Sequence, residues 1–264
     1  MISILSPELL ILFNKTDKIK MKKILIILIL SIASQNIMAQ EGEDVGWVSR
    51  FGAAAGLTPT FAFPNLDPVN AQIKSMNIGQ LSTSGMLLIG GGGYAYIMMI
   101  DNLRIGGMGV TGSQKTSGVV NGLNKEVKYN CSFGGLTIEY TLPFVKNVAV
   151  SLGAVLGMGT TSVEIYQNSG SFSWNDTWKK VNAGGAINNV SDKIYNSFYS
   201  VTPTLNVDVP ISRFIALRIG GGYVASFGND WKINNENNLN GTPSELSSNS
   251  FFIQTGIYFG LFAF

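Results

Sequence analysis

The stretch SFYSVTPTLNVDV at residues 197–209 decides the fold. Its apolar and polar residues alternate with a period of two, which indicates a β-strand with two different faces. The apolar face carries Tyr199, Val201, Pro203, Leu205, Val207 and Val209, and the other face carries Ser200, Thr202, Thr204, Asn206 and Asp208. This pattern is typical of a membrane barrel, in which the apolar face of each strand meets lipid and the polar face lines the interior.

Seven further segments follow the same period or are long enough to cross a bilayer as tilted strands of about 9–11 residues. They lie at residues 50–63, 84–100, 103–113, 125–142, 147–158, 213–225 and 249–264. Within residues 125–142 the apolar positions change parity at Gly134-Gly135. We expect a β-bulge at this glycine pair, because one extra residue restores the facing of the strand.

The connections between these segments differ in length. The short ones lie at residues 101–102, 143–146 and 210–212, and the long polar ones at 64–83, 114–124, 167–196 and 226–248. Short periplasmic turns and long external loops are typical of outer-membrane barrels. We therefore predict an all-β, antiparallel, up-and-down transmembrane β-barrel of eight strands. Ten or twelve strands, with another hairpin inside residues 65–83 or 167–196, and a secreted β-sandwich are the alternatives.

The composition excludes several classes of protein. Only 13% of the 264 residues are charged, and 31 are glycine, which is unfavourable in helices. There is no histidine and one cysteine, which excludes an imidazole base, a disulfide within the chain and a Cys/His zinc site. Residues 40–264 contain thirteen basic and fourteen acidic residues, so no basic surface indicates a nucleic-acid partner. We expect no cofactor.

The first 39 residues have the parts of a secretory signal peptide. Met21-Lys22-Lys23 precedes an apolar run at residues 24–32, and a short polar stretch then ends at Ala39. This order of charged, apolar and small residues predicts export and cleavage after Ala39. Residues 1–20 do not resemble a signal, so translation from Met21 is the better interpretation. Residues 40–264 then form the barrel.

Five charged residues lie on the interior parity of the predicted strands. They are Arg50, Arg104, Glu139, Asp208 and Arg218. A charge on the lipid face near the midplane costs about 2–4 kcal/mol, so these side chains are expected to point inward. The interior of an eight-stranded barrel is just wide enough for side chains to fill it. We predict a packed ion-pair network in the lumen, with Arg104 and Glu139 paired across neighbouring strands. A gated pore or proton path is the alternative.

Tryptophan residues lie among polar neighbours in two of the long connections. Trp174, Trp178 and Trp231 are candidates for a contact surface, because exposed tryptophan is enriched at binding hot spots. An envelope protein or a glycan is the partner that this surface predicts. The alternative is that the three rings pack on each other or on the barrel rim.

The chain ends YFGLFAF at residues 258–264. Tyr258, Gly260, Phe262 and Phe264 resemble the C-terminal insertion signal of outer-membrane barrel proteins. Together with the signal peptide and the alternating segments, they make residues 40–264 similar to small outer-membrane barrels of the OmpA, OmpX and OmpW kind. The resemblance implies a location in the outer membrane of a Gram-negative cell envelope. It also implies membrane lipid and the barrel-insertion machinery as partners.

The function predicted from these observations is non-enzymatic. Outer-membrane barrel proteases, phospholipases, lipid A deacylases and acyltransferases resemble one another in relying on a histidine, which this sequence lacks. We therefore predict no catalytic residue and no metal site. The expected role is structural, adhesive or within an envelope complex, through the external loops. A small porin-like channel for ions or hydrophobic solutes is the alternative.

Overall fold

A computed structural model describes residues 51–145, 148–170, 173, 189–228 and 230–263. The predicted signal region and its predicted cleavage site therefore lie outside the described residues. The elements are β1 (Phe51–Leu57), β2 (Thr60–Pro64), α1 (Asp67–Ser75), β3 (Met86–Tyr96), β4 (Leu103–Val120), β5 (Leu123–Thr141), β6 (Ala149–Asn168), β7 (Val190–Pro210), β8 (Ile215–Phe227), β9 (Lys232–Ile233), β10 (Asn237–Asn238) and β11 (Ser250–Ala263). No helix in this part of the chain is long and apolar enough to span a membrane.

The strands close into a ring of eight. Strands β1 and β2 act as one barrel strand, since each pairs antiparallel with β3 on one side and β11 on the other. They are separated at Thr58-Pro59, where proline has no N–H to donate. From β3 each strand pairs with the next through β8, and β8 pairs with β11. The predicted eight-stranded antiparallel barrel is thus confirmed.

An apolar belt surrounds this ring. On β7 the outward residues from Tyr199 to Val209 are exposed except for the half-buried Val207, and the inward residues between them are buried. A rise of about 3.3 Å per residue and a tilt of about 40° give this belt a height of about 25 Å, which matches the apolar band of outer-membrane barrels. At the external border of the belt, which we call its upper border, the outward positions carry hydroxyl side chains on four neighbouring strands. These are Thr111, Ser132, Thr160 and Ser197.

Strands β4 to β7 continue well beyond this border. The predicted long loop at residues 114–124 is wrong, because β4 and β5 remain paired to Val120↔Leu123. They are joined by Asn121 and Gly122 with φ of 52° and 74°. Two left-handed residues in the order Asn-Gly form the type I′ turn that suits the twist of a hairpin. The hairpin therefore rises about 20 Å above the belt, at the same rise and tilt.

The predicted β-bulge at Gly134-Gly135 is also wrong. Gly134 pairs with Gly109 on one side and Met158 on the other, and the register is unbroken along β5. The parity of the apolar residues changes because the surroundings of the strand change. Below the glycines, apolar side chains face lipid and the inward residues are polar. Above them the outer face meets water, so the inward residues are apolar.

A helix and a small hairpin cover the external mouth. Helix α1 begins at Asp67 and has Pro68 in its first turn, where no N–H donor is needed. The helix buries the side chains of Val69 and Ile73. The side chain of Asn70 binds the backbone of Leu81 twice: its Nδ2 donates to the carbonyl oxygen at 3.0 Å, and its Oδ1 accepts from the N–H at 2.8 Å. Strand β9 pairs with β7 above the end of β8.

Candidate functional site

Four of the predicted lumen charges meet at the periplasmic end of the barrel. Arg104 on β4 lies directly opposite Glu139 on β5, and Asp208 on β7 lies directly opposite Arg218 on β8. Each residue occupies an inward position because its neighbours along the strand face lipid. All four are at least 95% buried. Arg50 lies outside the described residues.

Each carboxylate contacts both guanidinium groups. Arg104 donates to Glu139 at 2.6 Å and to Asp208 at 2.5 Å. Arg218 donates from Nε to Asp208 at 2.6 Å and from its terminal nitrogens to the two oxygens of Glu139 at 3.1 and 3.2 Å. The four charges sum to zero. We refer to Arg104, Glu139, Asp208 and Arg218 as the charge cluster.

Polar side chains add further hydrogen bonds to the charge cluster. Asn206 donates from Nδ2 to Glu139 at 2.9 Å, and its Oδ1 accepts from Gln254 at 2.7 Å. Ser151 accepts from Arg104 through its hydroxyl. Buried charges need such partners, since an unpaired charge in a low-dielectric interior is costly. Ser151 and Gln254 were not predicted from the sequence, although both occupy inward positions in their strands.

Aromatic rings close the space beside the two arginines. Tyr94 lies between them, with its ring centroid 4.3 Å from the guanidinium carbon of Arg104 and 4.9 Å from that of Arg218. Tyr258 lies 4.7 Å from Arg218. A guanidinium over an aromatic face is attracted to its negative charge density. Tyr258, predicted as part of the insertion signal, is therefore also a lumen residue that packs on the charge cluster.

An apolar layer occupies the lumen above the charge cluster. Tyr129 and Phe133 of β5, Phe198 of β7 and Phe252 of β11 are buried there, and the rings of Phe133 and Phe252 are 5.5 Å apart. The same packed cluster includes residues of α1. This apolar layer was not predicted from the sequence. Its signal is present in the apolar inward positions of β5, whose change of parity predicted a β-bulge instead.

The predicted tryptophan surface is not formed as expected. Trp231 is only 2% exposed and belongs to the same apolar cluster, so its assignment to an exposed contact surface is wrong. Its Nε1 donates to the carbonyl oxygen of Leu246 at 3.1 Å, which satisfies the one polar atom of the ring. The hairpin of β9 and β10 follows it directly and pairs with β7, so the ring is held against the mouth. Trp174 and Trp178 lie outside the described residues.

The end of the chain lies next to the start of the barrel. Phe262 on β11 pairs with Gly52 on β1, and Gly260 pairs with Ala54. A Cβ atom on Gly260 would collide with the backbone of Ala54, so this glycine permits the close approach of the two closing strands. Phe264 lies outside the described residues.

Among the described residues, these layers occupy the lumen at two levels. The charge cluster and its aromatic rings fill the lower lumen, and the apolar layer and α1 fill the upper lumen and the mouth. Among the described residues, no group of histidine, cysteine, aspartate and glutamate side chains is arranged to hold a metal ion. The arrangement can stabilise a rigid barrel.

Several solved structures are similar to this chain. The attachment invasion locus protein of Yersinia pestis, in complex with the heparin analogue sucrose octasulfate, is 10% identical with a TM-score of 0.40, covering 80% of this chain and 99% of its own. Neisserial surface protein A is 12% identical with a TM-score of 0.37, covering 80% and 97%. A major outer membrane protein from Thermus thermophilus is 8% identical with a TM-score of 0.43, covering 78% and 99%.

No protein-family model and no curated protein matches the sequence. A closed ring leaves no strand edge unpaired, as a barrel in lipid requires, and its exposed apolar belt is suited to contact with lipid. Its height and strand number are those of the outer-membrane class. The chain is an eight-stranded antiparallel β-barrel with the dimensions of small outer-membrane barrels.

Proposed function

We propose that the protein is a non-conducting, non-enzymatic outer-membrane barrel that acts through its external surface. The observation that carries this proposal is the filling of the lumen at two levels. An ion that crosses the barrel has to displace the charge cluster, whose members are held by bonds of 2.5–3.2 Å, and then pass the apolar layer. Breaking such a buried pair costs about 3–5 kcal/mol.

The external wall formed by β4 to β7 is the surface that we propose for this role. Its inner face is covered by α1, while its outer face carries charged and hydroxyl side chains. Lys115 forms an exposed ion pair with Glu126 at 3.4 Å, and Lys128 lies directly opposite Glu164 on the next strand. A rigid polar wall that stands clear of the lipid is suited to structural contacts or adhesion, with an envelope protein or a glycan as the proposed partner.

Conductance across a planar bilayer tests the non-conducting part of the proposal. The mature protein is refolded into lipid, and a heat-modified gel shift shows that it has folded. Insertion is verified by protection of the belt from protease. We expect no steady channel openings. Steady openings from folded protein would support the channel alternative instead.

A further inference from the structure

A pocket opens at the external mouth, between α1, the barrel wall and the segment after β10. Its volume is about 220 Å³. The wall contributes apolar inward residues of three strands, namely Val127, Val163, Ile165 and Ile194. Helix α1 contributes Val69 and Ile73, and Met76 follows it, while Leu239, Pro243 and Leu246 close the third side.

The chemistry of the lining favours a neutral ligand. Among the described residues no charged side chain lines this pocket, and its polar lining side chains are Gln72, Asn240 and Thr242, which lie at the rim. Water inside an apolar pocket lacks the two to four polar partners that it needs. Concave apolar pockets with a few polar groups at the edge are the usual form of a small-molecule site.

The position of the pocket determines how a ligand reaches it. Val127 and Val163 lie above the lipid belt, since Lys128 and Glu164 follow them on the outer face of the same strands. Below them Tyr129 and Phe133 fill the lumen. The pocket therefore opens to the external water and is closed at its inner end, so a ligand binds there without passing through the barrel.

We propose that this pocket binds a small, neutral, hydrocarbon-rich molecule from the external medium. A cavity of about 150 Å³ lined by aliphatic and aromatic residues accommodates benzene, so about 220 Å³ accommodates a benzene ring with a short alkyl chain. One hydroxyl or carbonyl group of the ligand faces Gln72, Asn240 and Thr242 at the rim. This assigns the barrel a binding site in addition to its structural or adhesive role.

Methionine methyl resonances provide the test, because a methionine lies in the pocket and another lies in the belt. The full mature protein in detergent, labelled at the methionine methyl groups, is titrated with 3-phenyl-1-propanol. We expect the chemical shift of the Met76 methyl group to reach a plateau as the alcohol concentration rises. The shift of the Met158 methyl group on the lipid face should instead change linearly, because the alcohol partitions into the micelle. The charged analogue 3-phenylpropanoate is the ligand control, and we expect no plateau in the chemical shift of the Met76 methyl group when it is added.

Two variants fill the pocket from opposite sides. Val163→Phe fills it from the barrel wall, and Thr242→Trp fills it from the loop without changing a barrel strand. We expect each to raise the half-saturating concentration at Met76 at least tenfold, while Leu156→Phe on the lipid face of β6 leaves it unchanged.

The heat-modified gel shift verifies that each variant has folded. If Val163→Phe does not fold, Thr242→Trp alone tests whether the alcohol binds in the pocket. A linear response of Met76, equal binding of the charged analogue or unchanged binding in Thr242→Trp would overturn the proposal.

Discussion

Removal of one charge from the charge cluster is expected to destabilise the barrel strongly. Glu139→Gln keeps the shape of the side chain but leaves two buried guanidinium groups with one carboxylate. The wild-type carboxylate accepts from Arg104 at 2.6 Å and from Arg218 at 3.1 and 3.2 Å. Removing one partner of a buried pair costs about 3–5 kcal/mol, and we expect this loss in the free energy of unfolding.

The structure also provides a control and a compensating change. Glu126→Gln breaks the pair with Lys115, whose side chain is 63% exposed, so we expect a loss of less than about 1 kcal/mol. Glu139→Gln combined with Arg218→Met restores neutrality. We expect it to cost less than the sum of the two single changes, because residues of one network couple.

Unfolding in urea from lipid vesicles, followed by the gel shift, measures all four variants. Equal losses for Glu139→Gln and Glu126→Gln would refute the role of the charge cluster.

Three further predictions, two of them with a control variant, concern other parts of the barrel. Gly122→Ala forces a Cβ into a left-handed turn position, and we expect it to lower the free energy of unfolding by about 1–2 kcal/mol. Gly109 also has open space for a Cβ but no left-handed backbone, so we expect Gly109→Ala to leave the free energy of unfolding unchanged. Asn70→Ala removes both bonds to the loop after α1, so we expect a loss of about 1–3 kcal/mol and faster amide exchange at Leu81. Leu205→Arg near the middle of the belt should cost about 2–4 kcal/mol, and Ser197→Arg at its border about 0–1 kcal/mol, measured by unfolding from vesicles. Equal losses in Gly122→Ala and Gly109→Ala would contradict the left-handed turn. Equal losses in Leu205→Arg and Ser197→Arg would contradict the position of the belt.

Much of the membrane-spanning half was predictable from the sequence. Within the belt, lipid and a polar lumen impose opposite requirements on alternate residues, so the alternation in residues 197–209 predicts both the strand and its facing. The same rule assigned Arg104, Glu139, Asp208 and Arg218 to the interior. Their detailed pairing follows from register, which depends on neighbouring strands and was predictable only for Arg104 and Glu139.

The external half was predicted less well because the rule reverses there. Above the belt, water surrounds the wall, and Lys128 and Glu164 face outward while Tyr129 faces inward. The polar residues in this region therefore predicted a loop, although Asn121-Gly122 is a strong hairpin signal. Trp231 is buried in the apolar cluster that also contains residues of α1, and those residues are distant from it in the sequence. Strands β9 and β10, which follow it, are too short to give a clear periodic pattern.

A high-resolution experimental structure of the mature protein in lipid, with its ordered waters, tests the closed lumen most directly. We predict that Arg104, Glu139, Asp208 and Arg218 are paired and that no water lies between Phe133 and Phe252 in the apolar layer above them. A continuous file of ordered waters from the charge cluster to the external mouth would contradict the closed barrel and make the same residues the lining of a channel.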